Sequence, residues 1–263
     1  MMTAVSAPNH GFWRRFTPLF ALGLIGVAGL GPALTGQLDT LPPDLPLPPS
    51  ALIAAALVQA TALIAGGTAV GAALAPRLGL RSHIAERFVG GPPVAPALTA
   101  EAPLALGMGL VSAAVIVGLD FVLRPLLPPT FLATMPAIPY GMSALVSGLL
   151  YGGIAEELLM RWGLMSLVAW AGWRVVHRSG VRPAPAVMWL AIAIGAVLFG
   201  LGHLPAAAML APLTPAFVLR TVLLNSVAGL VTGWLFWRRS LEAAMIAHMA
   251  VHIGFALARL LAM

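Results

Sequence analysis

The chain of 263 residues contains no cysteine. Disulfides, thiolate nucleophiles and cysteine metal sites are therefore excluded. It contains no lysine either, so all 14 basic residues are arginines. Charge of any kind is scarce. Only 8% of residues are charged, against about 25% in an ordinary soluble domain. A chain so poor in charge lacks the means to cover itself with a water-facing surface. Its net excess of +6 is not gathered into a basic patch interleaved with aromatics, so nucleic acid is not an expected partner.

What the chain has instead is apolar length. It is 60% hydrophobic, with a mean hydropathy of +0.97. A spanning helix needs about 20 mainly apolar residues. Seven candidates meet that test, at 16–36, 51–75, 103–125, 141–171, 186–203, 216–237 and 241–261. The expected fold is all-α, a polytopic transmembrane helix bundle of about seven spans, with six to eight allowed. One membrane domain is expected. Residues 1–140 supply N-terminal spans with Pro-rich and Arg-rich loops, and residues 141–263 carry the chemistry. The first apolar run exceeds the core of a cleaved signal peptide, about 7–15 residues, and is expected to be a retained helix.

The connections differ in character. Residues 38–50 are proline-rich, with two aspartates and no arginine. Residues 76–102 hold Arg77, Arg81 and Arg87 and a break at "GGPP", and part of this stretch is expected on the membrane surface. Residues 126–140 and 204–215 carry no charge. Residues 172–185 hold Arg174, Arg178 and Arg182, and Arg238 and Arg239 close the sixth span. With seven crossings these arginines, with Arg14 and Arg15, fall on one side, and Arg124 and Arg259 fall near the other. Cytoplasmic loops collect arginine, so the N-terminus is expected in the cytoplasm, and the expected location is the bacterial inner membrane. The fourth segment reads as one long tilted helix or as two with a break. "GLVTG" at 229–233 reads as a close helix contact.

Ionisable groups inside apolar spans are costly, about 2.5–3.5 kcal/mol at a helix centre, so each needs a reason. Asp120 and Arg124, four apart, are expected to pair with each other. Glu157 and Arg161 are also four apart and can pair. Glu156 is rotated about 100° away on a helix and needs another partner. Two accounts of Glu156 stand: a working carboxylate, or one member of a structural ion-pair network. His203 ends "FGLGH". His248 and His252 are four apart on one face of the last span and can converge on one ion or one oxygen. A carboxylate, a lone histidine and a histidine pair are what water activation and oxyanion stabilisation require.

Several membrane hydrolase signatures are absent. "GMSA" at 141–144 lacks the last glycine of a rhomboid-type serine site. "GLD" at 118–120 falls short of a presenilin-type aspartyl motif. H-E-x-x-H does not occur. The order Glu156-Glu157-x-x-x-Arg161, Phe199-x-x-x-His203 and His248-x-x-x-His252 resembles the CAAX-processing and bacteriocin-processing intramembrane endopeptidase (Abi) family, over roughly residues 141–256. "RRSLEAAMIAH" at 238–248 also resembles the lead-in to that family's third motif. One departure stands out: His252 occupies a position where the family has Asn or Asp.

The resemblance implies a hydrolase that cleaves a peptide bond near the membrane surface, with a peptide or protein substrate, prenylated or not. It implies that Glu156 activates water with help from His203. His248 and His252 would polarise the scissile carbonyl, and Glu157 and Arg161 would orient the motif helix. No cofactor is required by this reading, although two histidines and a carboxylate suit a zinc ion. Helix arithmetic places His203 deeper in its span than His248, and an error in span boundaries is the expected cause. The competing readings are a catalytically silent scaffold or immunity protein of the same family, and a transporter. Nothing in the sequence sets an oligomeric state.

Overall fold

A computed structural model describes residues 9–37, 48–128, 132, 141–176 and 182–261. The expectations for residues 38–47, for most of 126–140 and for Arg178 lie outside the described residues. Within them the architecture is all-helical, with no strand.

In chain order the helices are α1 (Asn9–Ala28), α2 (Gly31–Gln37), α3 (Pro49–Leu78), α4 (His83–Phe88), α5 (Val94–Leu123), α6 (Met142–Val176), α7 (Pro185–Gly202), α8 (Leu204–Ala208), α9 (Pro215–Arg238) and α10 (Leu241–Leu261). Seven of the described helical stretches are long and apolar enough to cross a membrane. They coincide with the seven expected spans. The fourth is continuous for 35 residues, which settles the choice between one helix and two.

Local chemistry sets the helix ends. Proline opens α3, α7 and α9, where its missing N–H costs nothing and its fixed φ suits a first turn. Thr214 caps α9 by accepting from Phe217 N at 3.3 Å. Gly79 ends α3 at φ 74, a left-handed C-cap that favours glycine.

Small residues set how closely the spans approach. A Cβ on Gly109 would overlap Ala247 and Ala250, and one on Gly254 would overlap Ala113. These contacts fix α5 and α10 side by side and parallel, in a register that brings Asp120 level with Arg259. Gly229 and Gly233, the ends of "GLVTG", lie against Ala196 and Ile192, and Gly200 lies against Val222. α7 and α9 are therefore antiparallel neighbours. Large apolar side chains remain exposed on the outer faces, among them Val111, Val122, Leu190 and Leu219, as lipid-facing surfaces require.

A buried polar knot anchors the start of α10. Glu242 accepts from Ser82 Oγ at 2.6 Å and from the backbone N–H groups of His83 and Ile84, each at 3.0 Å. Glu101 of α5 joins it, with Ser240 Oγ at 2.5 Å and His83 Nε2 at 3.2 Å. Leu241 N donates to Arg81 O at 2.9 Å. The expected surface segment at 76–102 is thus partly the short helix α4, tied to the base of the helix that carries His248 and His252.

Candidate active site

α6 does not keep ordinary α-helical winding. From Gly148 to Glu156 and again from Leu158 to Met165 it takes the wider π form. π turns are rare and gather at functional sites. This stretch contains both glutamates and the arginine of the first motif.

Glu157 is fully buried, and Arg161 is 3% exposed. Their ion pair is 3.1 Å, Arg161 Nη1 to Glu157 Oε1. The same Oε1 accepts from His248 Nδ1 at 2.7 Å. A carboxylate only accepts, so Nδ1 carries the proton and Nε2 is turned the other way. There it lies 3.8 Å from Glu156 Oε2. The partner that Glu156 needed is therefore His248, from a helix about ninety residues further along the chain. Glu156 keeps partial exposure on the wall of a cavity, while Glu157 and Arg161 sit behind that wall.

Phe199 joins the three motifs. The Arg161 guanidinium lies over its ring, 4.9 Å from the centroid, an arrangement that attracts a cation to an aromatic face. The rings of His203 and His248 meet it edge-on at 4.6 and 5.7 Å. His203 donates from Nδ1 to Phe199 O at 2.8 Å, which folds its ring back along α7 and leaves Nε2 as the acceptor. This corrects the depth argument. The span boundaries hold, with α7 ending at Gly202. His203 is indeed near the far end of α7, and it approaches the others through Phe199.

His252 stacks on His248, with ring centroids 5.1 Å apart and planes 13° from parallel. Gly148 and Gly152 of α6 make room for this pair. A Cβ on Gly148 would overlap the His252 ring, and one on Gly152 would stand 2.7 Å from His252 Nε2 and 3.4 Å from His248 Nε2.

Glu156, His203, His248 and His252 line a cavity of about 840 Å³, within the usual range for a small-molecule or peptide-side-chain site. Its walls are mainly apolar, from Ile116, Leu224, Val251 and Phe255 among others. It is also lined by Asp120, Arg124, Arg220 and Arg259. The expected pair of Asp120 with Arg124 forms here, and the structure adds a second partner. Asp120 pairs chiefly with Arg220, whose Nε is 2.7 Å from Oδ1, and Arg124 is more distant at 3.5 Å. The i+4 spacing concealed a closer partner on a neighbouring helix, and Arg220 was missing from the charge count of the sixth span.

Among the described residues no three His, Asp or Glu side chains already stand close enough together to share a metal ion. As it stands the set is not closed around an ion, and the chemistry proposed for the site uses no metal.

The sequence reading missed Phe199 as a contact hub, Arg220, and the glycine pair Gly148 and Gly152. The glycines were legible in principle, as two small residues four apart on the helix that must face "HMAVH".

Fold and site together define a class: an integral membrane protein with a carboxylate–histidine centre held inside its helix bundle. Residues 138–254, which contain all three motifs, match the family model Rce1-like, described as type II CAAX prenyl endopeptidase Rce1-like. The resemblance drawn from the motifs is borne out over that segment, which is similar to a family of membrane proteases. No curated protein and no solved structure matches the chain.

Proposed function

We propose that this protein is an intramembrane endopeptidase in which Glu156 activates water for attack on a peptide bond. The observation that carries this reading is the division of labour around His248. One carboxylate, Glu157, is buried and bonded to Nδ1, and the other, Glu156, stands on the cavity wall opposite Nε2.

The chemistry follows from that placement. Glu156 takes a proton from water as the water oxygen attacks the carbonyl carbon. The carbonyl oxygen gains negative charge and accepts a hydrogen bond from His248 Nε2–H of the protonated imidazole. Glu157 balances that imidazolium, and Arg161 holds Glu157 in place. The proton on Glu156 then passes to the departing amine as the C–N bond breaks. General acid–base transfer of this kind is worth about 10²–10⁴ in rate, and a positioned oxyanion donor about 10²–10³. His203 Nε2 is an acceptor suited to holding the water, and His252, where the family has Asn or Asp, is placed beside His248 to contribute a second donor.

The substrate of this reading is a peptide or protein segment that reaches the cavity from the membrane, such as a CAAX-type tail, a leader peptide or a membrane anchor. The N-terminus is in the cytoplasm and the protein resides in a bacterial inner membrane, a reading supported by the arginine distribution.

The test uses purified full-length protein in detergent and a fluorogenic peptide library, prenylated and not. Glu156→Gln is expected to remove cleavage while the thermal melt holds. Cleavage by Glu156→Gln at the wild-type rate would end this assignment.

A further inference from the structure

The cavity has a second polar cluster that the proposed chemistry does not use. Arg124 ends α5, Arg220 lies in the second turn of α9, and Arg259 lies in the last turn of α10. All three line the same cavity as Glu156 and His248. One acid, Asp120, stands among them. Arg220 takes it with Nε at 2.7 Å and Nη2 at 2.5 Å, and Arg124 adds a contact at 3.5 Å. Arg220 and Asp120 are nearly buried, at 14% and 10% exposed. Arg259 has no ion-pair or hydrogen-bond partner among the described residues. Three guanidiniums against one carboxylate leave an excess of two positive charges on the wall of a mainly apolar cavity.

Because Arg124 and Arg259 stand at helix ends, a bilayer tolerates this excess, and it attracts an anion that enters the cavity. Arginine suits a carboxylate, because its planar fork matches two oxygens at once. Asp120 holds Arg220 and draws Arg124 inward, so the cluster is assembled before any ligand arrives. Arg259 is left free to make the new contact.

Resting on the peptidase reading, we infer that Arg124, Arg220 and Arg259 form a carboxylate-binding subsite that anchors the substrate at a fixed distance from Glu156. Helix geometry sets that distance. From His252 to Arg259 is about 10 Å and from His248 to Arg259 about 16 Å, at 1.5 Å per residue. An extended peptide covers about 3.3 Å per residue. The anchoring carboxylate therefore lies about three to five residues from the cleaved bond. It is supplied either by the substrate's C-terminus or by an Asp or Glu side chain at that spacing.

The experiment compares quenched fluorescent peptides that are identical except for the anchor: free acid or amide at the C-terminus, and Asp or Asn at each of several downstream positions. Full-length wild type, Arg259→Gln and Arg259→Lys are assayed for cleavage. Binding is read by anisotropy on Glu156→Gln protein, with and without Arg259→Gln. Wild type is expected to prefer the anchored peptide about tenfold in kcat/KM, mostly through KM, as one charge-assisted contact is worth about that factor. Arg259→Gln is expected to bring the ratio of acid to amide close to one, with Arg259→Lys between. Preference for the free C-terminus or for the Asp peptide identifies the source of the carboxylate. Cleavage with equal efficiency for acid and amide in wild type would sink the subsite and leave the peptidase standing. No cleavage, but tighter binding of acid than amide that Arg259→Gln removes, would keep the subsite and end the peptidase reading. Binding of phosphatidylglycerol micelles lost in Arg259→Gln, with peptide binding retained, would assign the arginines to lipid and overturn the proposal.

Discussion

Glu156 and Glu157 are adjacent in sequence and opposite in circumstance. Glu157 has no exposed surface, forms an ion pair with Arg161 and accepts a hydrogen bond from His248. Removing it leaves Arg161 as an uncompensated buried cation, and breaking a buried pair in this way costs about 3–5 kcal/mol. Glu157→Ala is therefore expected to lower the melting temperature in detergent sharply and to lose activity as a consequence. Glu156→Gln is expected to lose activity with little change in melting temperature. Equal melting losses in the two variants would contradict the division between a structural and a reacting carboxylate. The sequence supported part of this. The spacing of Glu157 and Arg161 indicated their pairing, and the leftover Glu156 indicated a second partner. It did not reveal that His248 bridges both carboxylates, because that contact spans most of the second half of the chain and no local period records it.

At the scale of elements, the first motif depends on how α6 is wound and what lies across from it. Gly148 and Gly152 give the stacked imidazoles their space against the α6 backbone. Gly152→Ala adds one methyl group within overlap distance of His252 Nε2. It is expected to reduce kcat by at least tenfold, since small displacements of reacting groups are that costly. The protein should still fold, because the ring can shift into the cavity. Kinetics and melting curves on the same preparation check this, and wild-type kcat would contradict it. The seven spans were legible because an apolar run of about 20 residues matches the thickness of a bilayer and exceeds what a buried helix needs. The π winding was not, since it comes from packing across the bundle and not from composition. The pairing of Asp120 with Arg220 was hidden for a similar reason: a four-residue spacing offers a plausible partner, and the tertiary one is closer.

At the scale of the molecule, the arginine asymmetry and the polar knot under α10 make separate predictions. The absence of cysteine makes single introduced thiols clean reporters of sidedness. In cells, Arg239→Cys is expected to be protected from an impermeant maleimide and Leu213→Cys to be labelled. The reverse pattern would invert the topology proposed from the arginines. The polar knot at the base of α10 is a further test of how the site is held. Glu242→Ala orphans three donors, from Ser82, His83 and Ile84, at about 1–3 kcal/mol for each buried group left unpaired. Its melting temperature is expected to fall although Glu242 does not line the cavity, and an unchanged melt would show that α4 does not anchor α10. None of this knot was read from the sequence, because its residues are short polar groups scattered over three helices with no shared spacing.

The most direct measurement of the central claim is the cleavage rate of one responsive peptide by wild type and Glu156→Gln at matched folded concentration. A fall of about a hundredfold or more, at an unchanged melting temperature, is the predicted result. A rate within about twofold of wild type would show that Glu156 does not activate the attacking water, since a working general base is worth about 10² or more.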